Sequence, residues 1–359
     1  MLWDIFCKVI DNHGDIGVCW RLSVQLAARG HAVRLWVDDD SALAWMAPGG
    51  DAGVQVLPWD AQGQPPVPGD AVIEAFGCHL DERFQAAIAR TTHQGRPPAW
   101  INLEYLTAES FATRSHGLAS PVLAGPATGL VKRFFYPGFQ GGTGGLLREP
   151  DLAIRMAAFD RGAWLRTQGI AVQDEQLVSL FCYEPQALGE LLLHFAAAPR
   201  RTRLLVTQGR ARAAVQVATA RLDATRPGWN DPSALAIDFL PLLTQPEFDH
   251  LLWACDLNFV RGEDSLVRAL WAGKPLVWHI YPQHDDAHRA KLAAFLDWLE
   301  APASLREFHE AWNGMGAASL GAPGSGAWTE CLLRARQRLL AQDDLVTQLQ
   351  RFATGANPS

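Results

Sequence analysis

The chain has 359 residues, 48% of them hydrophobic and 19% charged, with a formal net charge of −7, which is long for one domain and enough for two full cores. The charge is spread evenly, with 11 Lys and Arg against 15 Asp and Glu in residues 1–150 and 20 against 23 in the remainder. Neither half is basic, which argues against a nucleic-acid partner, and no charge-free span is long enough to cross a bilayer.

In chain order, Leu2–Ile10 reads as a buried-type strand, Val18–Arg29 as a helix ended by Gly30, and His31–Val37 as the next strand before an acidic turn at Asp38–Asp40. Asp4 and Lys8 interrupt the first apolar run and no basic region precedes it, so it is not a secretion signal. The six cysteines, Cys7, Cys19, Cys78, Cys182, Cys255 and Cys331, are scattered without a CxxC pair, as reduced buried thiols are. A cytoplasmic protein is expected. Further strands fit Ala71–Phe76, Trp100–Leu103 and Val131–Tyr136, separated by helical or Pro- and Gly-rich stretches such as residues 47–70. The run GFQGGTGGLLREP at 138–150 marks a domain boundary and reads as a hinge.

From Gln176 a second series begins. Strands at Leu177–Tyr183, Arg203–Thr207, Leu235–Leu240, Leu257–Arg261 and Pro275–Tyr281 alternate with helices at Ala187–Ala198, Arg212–Leu222, Pro246–Ala254, Ser265–Ala272 and Asp286–Glu300. Such alternation means parallel sheet covered by helices. Glu330–Phe352 reads as one or two terminal helices. The expectation is an α/β protein with two Rossmann-like domains, at 1–150 and 151–328, facing a cleft, the geometry of GT-B-type transferases and of some binding proteins, and with C-terminal helices in 329–359 that can pack back on the first domain. Ligands of such sheets bind at the carboxyl ends of the strands.

Four stretches offer chemistry. DNHGDIG at 11–17 puts Asp11 and Asp15 where many dinucleotide-binding folds carry a phosphate loop, and two carboxylates there would repel phosphate. Each can cap the following helix; as a pair they also suit a cation or a proton-donating acceptor. In VRGEDSLVRALWAGKP at 260–275, Arg261, the helix N-terminus and the Ser265 hydroxyl can hold diphosphate oxygens, whereas Glu263 and Asp264 do not suit them and read first as caps, unless one accepts from sugar hydroxyls and one only caps. In LFCYEP, Phe181 and Tyr183 share a strand face that suits either a planar base or a half-buried sheet surface. HIYPQHDDAH brings His279, His284 and His288 near Asp285 and Asp286, but in no zinc spacing.

These segments together resemble the bacterial protein-arginine rhamnosyltransferases (EarP) that modify elongation factor P. The resemblance is carried by DNHGDIGVCWRLSVQLA, INLEYLTAESF, FFYPGF, GTGGLLRE, SLFCYE, DLNFVRGEDSLVRALWAGKPLVWHIYPQ and DAH, spanning both halves. It implies an inverting GT-B glycosyltransferase that uses TDP-β-L-rhamnose, with no metal and no cofactor, and takes one arginine of elongation factor P as acceptor. Carried over by motif, Asp15 is the base and Asp11 its companion carboxylate, with Asn12 and His13 in the acceptor loop; His13 stands where an aromatic such as Tyr or Phe is expected. Phe181, Tyr183 and Gln245 contact the base of the donor, and Arg261, Glu263, Asp264 and Ser265 hold its diphosphate and sugar, Glu263 also counting among the catalytic groups. The rival readings are a GT-B-like nucleotide-sugar epimerase and a non-catalytic nucleotide-sugar-binding protein.

Overall fold

A computed structural model describes residues 1–9, 13–59, 66–171, 173–230, 234–282, 286–316, 319–324 and 326–355. The chain divides into two compact units, Met1–Pro150 with Leu339–Ser359, and Asp151–Arg338. The second division therefore falls inside the helix Gly326–Leu340, and of the terminal helices only Leu345–Thr354 lies wholly in the first unit.

The first unit is built on a seven-stranded sheet. Its strands are β1 (Leu2–Cys7), β2 (Ala32–Val37), β3 (Val54–Pro58), β4 (Ala71–Ala75), β5 (Ala99–Leu103), β6 (Ala119–Pro121) and β7 (Val131–Phe135), in the order β3-β2-β1-β4-β5-β7-β6. All neighbours run parallel except β6 against β7. Central parallel strands are covered on both faces, and so β1 and β4 are nearly continuous apolar runs. Asp4, the charge inside β1, is fully buried and satisfied four times over: by Arg34 at 2.6 and 2.7 Å, the Trp36 indole N–H at 2.8 Å and the Gly69 amide at 2.7 Å. Strands β3 and β6 were not expected. The first lies in a Pro- and Gly-rich stretch, and the second is three residues long, too short to show a period.

The helix Leu345–Thr354 lays Leu345, Val346 and Leu349 into the core of the first unit. Arg29 ties it down through Asp344 at 2.6 Å, Thr347 at 2.8 Å and Gln350 at 2.9 Å. The glycine run at 138–150, read from sequence as a hinge, is instead packed into this unit. Residues 143–147 are buried, and a Cβ at Gly144 would overlap the Phe135 ring. These glycines allow close approach rather than motion.

The second unit holds β8 (Gln176–Leu180), β9 (Thr202–Val206), β10 (Leu235–Phe239), β11 (Leu257–Arg261) and β12 (Leu276–His279), all parallel, in the order β10-β9-β8-β11-β12. The helix Ala303–Trp312, also unforeseen, closes one face with buried Leu305, Phe308, His309 and Trp312. In each unit the first strand is flanked by its successor on one side and by a later strand on the other, so the chain switches direction beside β1 and again beside β8. The carboxyl ends at those switch points, β1 with β4 and β8 with β11, are where open sheets of this kind hold ligands.

Among the described residues no helix is long and apolar enough to cross a membrane. All six cysteines are free and buried.

Candidate functional site

Asp11 and Asn12 lie outside the described residues. Asp15 does not cap its helix: the helix Gly14–Ala28 begins one residue earlier, His13 occupies the cap position without a side-chain hydrogen bond, and Asp15 sits in the first turn. There a carboxylate is favoured by the helix dipole. The Tyr105 hydroxyl, from the loop after β5, donates to Asp15 Oδ2 at 3.4 Å, a long contact that positions more than it binds. The Tyr105 ring stacks on Phe76, centroids 5.0 Å apart. Phe76, at the carboxyl end of β4, has φ of 57°, a left-handed conformation that costs an aromatic residue on the order of 1–3 kcal/mol. The strain is held where β4 meets the switch point, and it turns the ring onto Tyr105. His13 is exposed, with its ring edge-on to Trp45 at 5.9 Å. Glu104, beside Tyr105, has its carboxyl pushed above the usual range by burial, against the pull of Lys132.

In the second unit β8 stops at Leu180, so Phe181 and Tyr183 stand just past the strand. They nevertheless share a neighbour. The Arg261 guanidinium, at the end of β11, lies 4.5 Å from the Phe181 ring centroid and 4.7 Å from that of Tyr183. Arg210, opening the helix Arg210–Thr225, lies 4.8 Å from the Tyr183 ring and pairs through both nitrogens with Glu184. Tyr183 also meets His279 and Tyr281 edge-on, at 5.2 and 5.5 Å, and burial pushes its hydroxyl up to about 12.

Among the described residues no carboxylate pairs with Arg261, whose guanidinium donates a long hydrogen bond, 3.5 Å, to the Cys182 carbonyl. Burial, with the nearby charge of Arg210, pulls its pKa below the ordinary arginine value. A part-buried guanidinium in that state is incomplete without an anion. The turn beside it has the form an anion requires. Gly262, with φ of 69°, is the cap of the helix Glu263–Ala272 and offers no side chain of its own, so the first amides of that helix have no side-chain cap from it.

Glu263 is bound to Lys291 at 2.5 Å, which offsets its charge next to that turn. Asp264 is in the same first turn. The Ser265 hydroxyl is buried and donates to the Arg261 carbonyl, so it braces the turn rather than opening toward a ligand. Gln245 is buried at the start of the helix Gln245–Ala254, whose cap Thr244 accepts from the Glu247 amide. This helix and Glu263–Ala272 are joined by a buried bidentate pair, Arg268 to Asp249 at 2.9 and 2.7 Å. Phe248 meets Phe181 edge-on at 5.3 Å.

Sequence reading missed Phe76, Tyr105, Arg210 and Lys291. For two of them a signal was present: Gly77 follows Phe76 at a strand end, and Gly209 precedes Arg210. For Lys291, on a helix well past Glu263, no local pattern exists. Of the histidine-rich segment, His284 and Asp285 lie outside the described residues. His279 and His288 are buried. Among the described residues no three His, Cys, Asp or Glu side chains gather as a metal site.

His279 and His309 also carry a stability prediction. Burial lowers each from 6.5 to about 4. The fold keeps both neutral, with ring nitrogens accepting from the Tyr183 and Trp278 amides. Their stabilisation is therefore complete above about pH 6.5 and is lost as pH falls toward 4, by roughly 2 kcal/mol for each ring at pH 5. Calorimetric melts between pH 7.5 and 5 should show that fall, and His309→Gln should roughly halve it, leaving the share of His279. A melting temperature constant over that range would contradict neutral rings.

Comparison with known proteins converges. A family model described as Elongation-Factor P (EF-P) rhamnosyltransferase EarP matches residues 3–354. The protein-arginine rhamnosyltransferase of Pseudomonas putida is 44% identical, over 98% of both chains. A solved structure addressing EarP-mediated arginine glycosylation of translation elongation factor EF-P superposes with a TM-score of 0.64 and 32% identity, over 99% of both chains. WaaG, a glycosyltransferase of lipopolysaccharide biosynthesis, is similar in fold alone, with a TM-score of 0.51 and 15% identity over 99% of this chain and all of its own.

Proposed function

Since the chain belongs to the EarP family of elongation factor P rhamnosyltransferases, GT-B-type enzymes that glycosylate arginine, we propose that it moves L-rhamnose from TDP-β-L-rhamnose to one arginine of elongation factor P, with inversion and without a metal. The observation that carries the donor side is Arg261, a part-buried cation without a carboxylate partner among the described residues, stacked on Phe181 and Tyr183 beside the Gly262 helix start. It answers the two parts of a nucleoside diphosphate, with rings for the base and a cation and amides for the phosphates. As the bond from the anomeric carbon to the diphosphate breaks, the leaving oxygen gains negative charge, and a guanidinium with helix-terminal amides stabilises it in a metal's stead.

On the acceptor side a guanidinium is planar, cationic and rich in donors, which carboxylates match. Its pKa is above about 12, so no carboxylate removes its proton in the ground state. Asp15 and Asp11 orient it and localise its electrons. One guanidinium nitrogen attacks the anomeric carbon from the face opposite the diphosphate, and Asp15 takes the proton as the new C–N bond forms. The transition state resembles an oxocarbenium ion. With a translation factor as acceptor, the reaction takes place in the cytoplasm.

The test is to incubate the enzyme with TDP-rhamnose and elongation factor P, with and without EDTA, and to weigh the intact factor by mass spectrometry. One deoxyhexosyl unit on arginine in both arms is expected. An unmodified factor, or activity that vanishes with chelator and returns with Mg²⁺ or Mn²⁺, contradicts the proposal or its metal-free form respectively. Phe181→Ala probes the donor reading separately. A base stacked on an aromatic ring is worth ~1–3 kcal/mol, or roughly five- to 150-fold in TDP affinity by calorimetry. A steep fall in melting temperature with unchanged TDP affinity would make Phe181 a packing residue instead.

A further inference from the structure

Five exposed large apolar side chains of the first unit, Tyr105, Phe111, Leu118, Leu123 and Val131, fall within residues 105–131. Singly, such residues need no explanation; a cluster does. Past Glu109 the segment carries no acidic residue. A chain with 38 Asp and Glu places none between Glu109 and Glu149, while Arg114 and Arg133 are exposed there.

The hairpin of β6 and β7 separates the cluster into two ends. The Phe134 amide donates to the Leu118 carbonyl, which puts Leu118 at the carboxyl end of β7. Val131 opposes Pro121 at the other end, with Leu123 beyond it. Contacts run from the carboxyl end to the candidate acceptor group. The Tyr136 ring meets Phe111 edge-on at 5.8 Å; the Glu104 amide donates to the carbonyl of Phe135, the residue before Tyr136, at 2.9 Å; and the hydroxyl of Tyr105, next to Glu104, reaches Asp15. The edge itself is closed to strand addition, because β6 is three residues long and carries Pro121. A partner here must bind through side chains.

We propose that the ledge formed by Tyr105, Phe111, Arg114, Leu118 and Arg133 is the surface on which the protein acceptor, elongation factor P, docks, using an acidic and apolar face beside its target arginine. This rests on the function proposed above. The logic is complementarity: Asp15 and Asp11 draw in a cation, and the exposed Arg114 and Arg133 on the ledge alongside select an acceptor whose arginine is flanked by acids, fixing which arginine is presented.

Leu118→Glu is expected to raise KM for elongation factor P roughly tenfold, leaving kcat and calorimetric TDP affinity within about twofold. Arg133→Glu should act in the same direction, and its exposed side chain makes it the informative variant if Leu118→Glu melts early. Leu123→Glu, at the far end of the hairpin, should leave KM within about twofold of wild type. Wild-type KM in folded Leu118→Glu and Arg133→Glu, or an equal rise in Leu123→Glu, would overturn the placement. Those outcomes are read against an active unmutated enzyme; an unmutated enzyme that leaves the factor unmodified refutes the functional reading instead.

Discussion

Asp15→Asn is expected to lower rhamnosyl transfer by ~10²–10⁴-fold, the usual cost of losing a general base, while TDP binds as before. The substitution keeps the shape of the side chain and the reach of the Tyr105 hydroxyl. It removes the proposed proton acceptor and one of the two negative charges proposed to meet a guanidinium. Its structural cost is small, because Asp15 stands in the first turn and not at the cap; loss of the dipole interaction there is worth ~0.3–1 kcal/mol. Single-turnover transfer, a melt and a TDP titration on the same variant separate these effects. Near-normal turnover with a lowered melting temperature would make Asp15 a structural residue. Tyr105→Phe should cost far less, since the hydroxyl contact is long.

Arg268→Leu should destabilise the second unit by ~3–5 kcal/mol, because it takes the bidentate guanidinium from the buried Asp249 carboxylate. Both side chains are 1% exposed, so solvent cannot replace the lost partner. The pair joins the helices that begin at Gln245 and Glu263, and TDP affinity is therefore expected to fall along with stability. The double variant Asp249→Leu, Arg268→Met is the discriminating case. Apolar replacement of a buried pair is often neutral or better, so its melt should recover, while TDP affinity should stay below wild type if the pair sets the two helix starts. A single variant that melts like wild type would show that the pair contributes nothing.

Much of this protein was legible in its residues. Parallel strands buried on both faces are unbroken apolar runs, and for that reason β1, β4, β8, β11 and β12 announce themselves. Glycines at helix ends and the alternation of strand with helix do the rest, enough for an α/β fold of two units. The motif at Arg261–Ser265 was visible too, because a strand, a glycine turn and a helix start are contiguous in the chain. Where local signal was weak the reading failed, as at Val54–Pro58 among its prolines and at Ala303–Trp312 after Pro302. The glycine run at 138–150 misled for the opposite reason. Glycine signals either freedom or close approach, and only the Phe135 ring against Gly144 distinguishes them.

By itself, then, the sequence determined the strand and helix alphabet, the two-unit division near Pro150, and the kinship of the carboxylate and arginine motifs to arginine rhamnosyltransferases. The tertiary structure alone decided which side chains meet at the strand ends. Arg210 reaches Glu184 and Tyr183 because β8 and β9 are neighbours; Lys291 reaches Glu263 across a helix and a loop; the strained Phe76 brings its ring to Tyr105, and Tyr105 reaches Asp15. The physical reason is strand order. Periodicity and capping are properties of a few consecutive residues, whereas the order β3-β2-β1-β4-β5-β7-β6 or β10-β9-β8-β11-β12 is settled by which buried faces pack together, and it brings residues far apart in the chain to one edge.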